Sequence, residues 1–186
     1  MRYAQIRSMD ISNGPGTRIS VFVQGCSHCC KGCFNPETWD FNEGKLWTSE
    51  TTKKILELVE NSPYSRGLSI LGGDPISAYI HDAENEYNGL FDLLYEFKNR
   101  YSDKTVWLWT GYLFEEIVNM GSKEYNTDYN YHLQNKVRPL IEMCDVIVDG
   151  PYISLLNTRE KYRGSENQRV IKVKETIKSG EIHLCQ

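Results

Sequence analysis

Apolar positions along this chain recur with two different periods, and the changes of period mark the elements. Tyr3 to Arg7 predicts a short strand, followed at Asn13 to Gly16 by a turn whose glycines allow backbone angles closed to other residues. Arg18-Ile19-Ser20-Val21-Phe22-Val23-Gln24 is β-branched and aromatic, which predicts a buried strand running into the next loop. Thr48-Ser49-Glu50 reads as a helix start, with Ile55, Leu58 and Val59 on its apolar face and an end near Asn61-Ser62-Pro63. Gly67 to Leu71 predicts a strand. Tyr87 to Tyr101 predicts a helix that places Leu90, Leu93, Leu94 and Phe97 on one side. Thr105 to Thr110 predicts a strand with core tryptophans at 107 and 109, and Phe114 to Met120 a short helix. Gly121 to Asn135 is polar and reads as a surface insertion. Lys136 to Met143 predicts a helix, Asp145 to Asp149 a strand, and Arg169 to Val173 the last strand.

Strand, loop and helix in repetition mean βα units on a mostly parallel sheet. The pattern predicts a single α/β domain over residues 1–186, with five or six mostly parallel strands and helices outside. That is too few strands for the eight of a closed barrel, so an incomplete β/α barrel is expected. Its functional loops belong at the carboxyl ends of the strands.

Charge and composition mainly exclude. The 25 acidic and 21 basic residues are scattered and leave a net charge of -4, which provides no electrostatic footprint for nucleic acid. No apolar run approaches the ~20 residues of a membrane span, and the N-terminus lacks the apolar core of a secretory signal. A soluble, cytoplasmic protein without a membrane partner is expected. There are no internal repeats.

Chemistry concentrates in Gly25-Cys26-Ser27-His28-Cys29-Cys30-Lys31-Gly32-Cys33-Phe34-Asn35, where four of the six cysteines fall within eight residues. Reduced thiols at that density point to a metal. Cys26/Cys29 and Cys30/Cys33 form two C-x-x-C pairs with nothing between them, a poor match to a zinc ribbon. A ferredoxin-type run would place Pro after the last Cys, and Phe34 stands there. The remaining register is Cys26-x3-Cys30-x2-Cys33. Three thiolates are one short of the four of an ordinary 4Fe–4S cluster, and would leave one iron open for chemistry. A redox or zinc site is the competing reading.

The C-x3-C-x2-C loop resembles that of the radical S-adenosylmethionine (SAM) enzymes. With Asn13-Gly14-Pro15-Gly16-Thr17-Arg18 before it and Asn35-Pro36-Glu37-Thr38-Trp39 after it, the text resembles the activating enzymes of the anaerobic (class III) ribonucleoside-triphosphate reductase. The resemblance implies a partial barrel of the radical SAM type, and a 4Fe–4S cluster on Cys26, Cys30 and Cys33 whose open iron chelates SAM. It further implies reductive cleavage of SAM to a 5′-deoxyadenosyl radical, and a glycyl radical raised on the reductase large subunit as protein substrate. A low-potential donor such as flavodoxin or ferredoxin would supply the electron. Gly72-Gly73-Asp74-Pro75 resembles the family's Gly-Gly-Glu-Pro-type segment that holds the SAM amino group, although alone it reads as an ordinary turn. Gly32 stands where many radical SAM enzymes carry an aromatic residue, and Phe34 is the aromatic expected near the adenine. Thr110 and Gly111 fall near the ribose by the same resemblance.

Cys29 reads as a bystander thiol, and His28 as the donor or acceptor of a backbone hydrogen bond. Cys144 and Cys185 are isolated and read as incidental. Glu115-Glu116 reads as a solvated helix face. Asp149 to Tyr152 and Arg163 to Arg169 read either as loop structure or as contacts to SAM or the partner. Two alternatives stand beside the activase: another small radical SAM enzyme, acting on a different glycyl-radical protein or on a small molecule, and a non-enzymatic electron carrier.

Overall fold

The structure, a computed structural model, describes residues 1–82, 87–119 and 136–185; Met120 and the insertion expected at 121–135 lie outside that range. Seven strands form one sheet: β1 (Arg2–Asp10), β2 (Arg18–Gln24), β3 (Lys45–Leu46), β4 (Gly67–Gly72), β5 (Thr105–Trp109), β6 (Val146–Asp149) and β7 (Arg169–Lys172). They lie in the order β3-β1-β2-β4-β5-β6-β7. β2, β4, β5 and β6 are parallel, whereas β1, β3 and β7 pair antiparallel at the edges. The helices are α1 (Ser49–Glu60), α2 (Pro75–His81), α3 (Gly89–Arg100), α4 (Phe114–Asn119), α5 (136–142) and α6 (Val173–Ser179).

The mixed α/β class is as expected, but the described residues form seven strands rather than five or six. The extra strand is β3, whose two residues are too short to show a period. β1 runs on to Asp10: past Tyr3, where its pairing with β3 ends, its register against β2 shifts twice, and such a stretch needs no regular apolar face. α2 is not among the elements expected from the pattern. Its signals were present, with Asp74 as N-cap accepting from Ser77 N (2.7 Å) and Pro75 at the first helical position. Val173 opens α6 instead of ending β7, and Gly180, at φ +77°, closes that helix.

The sheet is two-faced. Ile19, Val21 and Val23, Leu68 and Ile70, Val106 and Leu108, Ile147 and Ile171 point one way and bury against helix residues such as Ile55, Val59, Leu90, Leu94, Phe97, Ile117 and Leu140. Burying side chains of that size contributes roughly 1.5–3 kcal/mol each before entropy is counted. The alternate residues face the other way, and Phe22, Leu71 and Trp109 there line a cavity instead of meeting a helix. Among the described residues no helix is long and apolar enough to cross a membrane.

Candidate metal centre

The cavity, about 470 Å³, opens at the carboxyl ends of the four parallel strands. β2 delivers Cys26, β4 delivers Gly72, Gly73 and Asp74, β5 delivers Thr110 and Gly111, and β6 delivers Gly150, all of which line it. The loop after β1 adds Ser12 and Asn13.

Cys26, Cys30 and Cys33 all line this one cavity as free thiols. Cys29 does not: it is exposed, sits at φ +46°, and turns its Sγ to within 3.8 Å of the Cys26 carbonyl. Left-handed backbone at a non-glycine residue is uncommon, and here it carries one thiol out of the set. Burial pushes the Cys26 thiol up to about 11, so a metal must displace a proton firmly held without it. Among the described residues no three His, Cys, Asp or Glu side chains converge to hold a single ion. A four-iron cube suits this donor set better, because each cysteine binds a separate iron and the sulfurs need not share one point. Cys144 is buried, with Sγ 3.5 Å from the Leu140 carbonyl, and neither it nor Cys185 lines the cavity.

The glycines beside the thiols answer to close backbone approach. A Cβ at Gly73 would lie 2.5 Å from the Gly25 carbonyl oxygen, and one at Gly72, where φ is +109°, 2.8 Å from Phe22 Cα and Val23 N. Backbone bonds then stitch the turn to the root of the cysteine loop: Gly73 N donates to Val23 O and Asp74 N to Gly25 O, both at 2.9 Å. On the far side Gly25 N donates to Thr38 O and Cys26 N to Trp39 O.

Asp74 is buried, and both its oxygens are engaged. Oδ1 accepts from Ser77 N, while Oδ2 accepts from Thr110 Oγ1 (2.8 Å) and Gly111 N (2.6 Å). Burial alone would raise this carboxyl, but His28 and the Ser77 and Gly111 amides outweigh it and hold it below the usual carboxylate range. His28 is not the backbone-bonded residue expected from the sequence. Its ring packs edge-on against Tyr112 with centroids 4.5 Å apart, and its Nε2 lies 3.5 Å from Asp74 Oδ2.

The structure gives Arg18 a role that its place in the motif did not show, and corrects the reading of Glu115. Arg18 is fully buried on the inner face of the sheet, where it donates to Ser69 Oγ (2.7 Å), Leu68 O (2.6 Å), Thr105 O (2.7 Å) and Thr105 Oγ1 (3.1 Å). Ser69 Oγ in turn donates to the carbonyl of Asn13, a cavity residue. Glu115 is not simply solvated: it receives two hydrogen bonds from Arg169, which also pairs with the buried Asp149. That guanidinium holds the Glu115 carboxyl below its ordinary value. Glu116 accepts from Leu113 N at the start of α4.

Phe34 lines the cavity while remaining 66% exposed, and packs against Tyr152 at 4.9 Å. Gly32 does not line it; at φ +77° it faces Ser154 and Tyr152, where an added Cβ would come within 3.3 Å of Ser154. The β6–β7 connection forms the remaining wall and is internally bonded, with Gln168 donating to Gly150 O and accepting from Gly164 and Ser165 amides.

A family model described as a 4Fe-4S single cluster domain matches residues 12–171. The chain is 38% identical over 170 residues to the anaerobic ribonucleoside-triphosphate reductase-activating protein of Enterobacteria phage T4, covering 91% of this chain and 93% of that one. It is 36% identical to the protein of that name from Vibrio cholerae, over 90% of this chain and 96% of that one. The Haemophilus influenzae counterpart is 32% identical, over 94% and 99%.

Proposed function

The chain belongs to the family of anaerobic ribonucleoside-triphosphate reductase-activating proteins, and we propose that it carries out that activation as a radical SAM enzyme. Cys26, Cys30 and Cys33 would hold a 4Fe–4S cluster, leaving an iron without a cysteine to take SAM. The observation that carries this reading is the sharing of one cavity by those three thiols, the Gly72-Gly73-Asp74 turn and the end of β5, with Cys29 left outside. The sheet, with helices on one face and this cavity on the other, is then a partial barrel of the radical SAM type in one domain.

When bound, the cluster would supply the electron for reductive cleavage of SAM, the chemistry by which a glycyl radical would be raised on the reductase. The chain's own residues position the reactants. The Gly72-Gly73 backbone accepts the SAM ammonium, as carbonyls at a tight turn can. Asp74 shapes that turn, since its carboxylate is committed to Ser77, Thr110 and Gly111. Phe34 offers an exposed ring for the adenine at the mouth, beside Tyr152. The protein substrate reaches the cavity from that mouth, and a flavodoxin or ferredoxin serves as electron donor.

The test is anaerobic mixing of the reduced, iron-loaded protein with SAM and the reductase, followed by EPR for a glycyl radical on the reductase. Radical formation that requires SAM is the expected result. Absence of the radical, with cluster and partner both intact, would overturn the assignment of substrate.

A further inference from the structure

The cysteine loop, the Gly-Gly-Asp-Pro turn and the end of β5 come from three strands, and they meet at one side chain the proposed reaction does not use. His28 sits between two proposed ligands. Its Nε2 is buried, lies 3.5 Å from Asp74 Oδ2, and makes no shorter polar contact. The ring is held edge-on by Tyr112. Gly111 closes the third side: a Cβ there would fall 2.5 Å from His28 Cδ2, and its three nearest neighbours all belong to the imidazole. Next door, Ser27 Oγ bonds Ser77 Oγ at 2.8 Å and approaches the Tyr112 hydroxyl at 3.4 Å. Away from this contact, the bonds at the tip of the cysteine loop are few and long: Cys33 N donates to Cys30 O, Asn35 N to Cys33 Sγ, Cys29 Sγ lies 3.8 Å from Cys26 O, and Asn35 Nδ2 reaches Gly72 O only at 3.5 Å.

We propose that His28 is a positioning residue, a strut that fixes the tip of the cysteine loop against Asp74 and Gly111, and so sets the cluster's open iron at one distance from the turn that holds SAM. The inference rests on the radical SAM reading above. It concerns placement and not ligation, because a strut can be removed while all three thiols remain. Residues that orient ligands in this way typically change affinity or activity by about 10–100-fold when replaced.

Gly111 makes the test selective. Its φ is not among the left-handed set, so alanine suits the backbone, and the three atoms nearest its Cβ all belong to His28. Four proteins are compared after anaerobic reconstitution: wild type, His28→Ala, Gly111→Ala and the double variant. Each is reduced and titrated with SAM while its low-temperature EPR spectrum is followed. His28→Ala is expected to keep wild-type iron content and yet to need about tenfold more SAM for the spectral change. Gly111→Ala should show the same loss by pushing the ring aside. The double variant should be no worse than His28→Ala alone, since the clash has gone. His28→Gln, which restores a donor toward Asp74, should recover part of the affinity. The proposal is overturned if His28→Ala binds SAM within twofold of wild type, if it loses the cluster itself, or if the two single losses simply add. A wild-type spectrum that ignores SAM would instead refute the radical SAM reading, so the two failures are distinguishable.

Discussion

Arg18→Met removes a buried cation that ties three strands together. The side chain is 0% exposed, and its four hydrogen bonds reach Ser69, Leu68 and Thr105 on β4 and β5. Hydrogen bonds from charged donors contribute about 1.5–3 kcal/mol each, but that sum overshoots. Burial is costly for the guanidinium, enough to pull its pKa down to about 10, and methionine abolishes that cost while filling the space. What remains is the penalty of carbonyls and hydroxyls stripped of their donor. A buried neutral group left without its partner costs about 1–3 kcal/mol. We take about 3 kcal/mol, which for a chain of this size lowers Tm by about 6–12 °C. The assay is thermal unfolding under anaerobic, reducing conditions, with both proteins in the same cluster-loaded state. Arg18→Lys keeps the charge but reaches fewer acceptors with a single ammonium, so its Tm should fall between wild type and Arg18→Met. A change below about 1 kcal/mol for Arg18→Met, or a lysine variant equal to wild type, would refute the account of this network.

Further substitutions separate ligands from neighbours and charge from shape. Cys29→Ala should leave iron content and the reduced EPR spectrum unchanged, whereas alanine at Cys26, Cys30 or Cys33 should abolish cluster loading, measured by iron and sulfide analysis. Asp10 accepts from Ser12 N, Asn13 N and Asn13 Nδ2; burial would raise its carboxyl, but these bonds outweigh that and hold it below the usual value. A depressed carboxyl stabilises the fold above its unfolded pKa of about 3.9 and stops doing so as pH falls through the lower folded value. Denaturant titrations from pH 7 downward should therefore show a shallower acid loss for Asp10→Asn than for wild type; parallel curves would contradict this.

What was legible in the sequence was local. The spacing Cys26-x3-Cys30-x2-Cys33 is contained in one loop, and the structure turns those three thiols, without Cys29, into one cavity. The parallel core strands announce themselves by β-branched and aromatic residues, as β2 does with Ile19, Val21, Phe22 and Val23 in a strand whose seven residues are all buried. What stayed hidden was long-range pairing. Arg18 meets partners 51 and 87 residues away, and Arg169 meets Glu115 across 54. No periodicity encodes such contacts. His28 was present in the motif, but its role depends on Asp74, Gly111 and Tyr112, which the fold alone brings to it. The Asp-Pro start of α2 was readable and was masked by the turn-forming character of the glycines before it.

The most direct test of the central claim is the low-temperature EPR spectrum of the reduced, reconstituted protein with and without SAM. A spectrum that changes on adding SAM, in wild type and in Cys29→Ala alike, is the predicted result, because the proposed three-cysteine cluster would keep one iron free of cysteine. An unchanged spectrum in a sample whose iron content shows an intact cluster would contradict it, and would mean that this iron is closed to SAM.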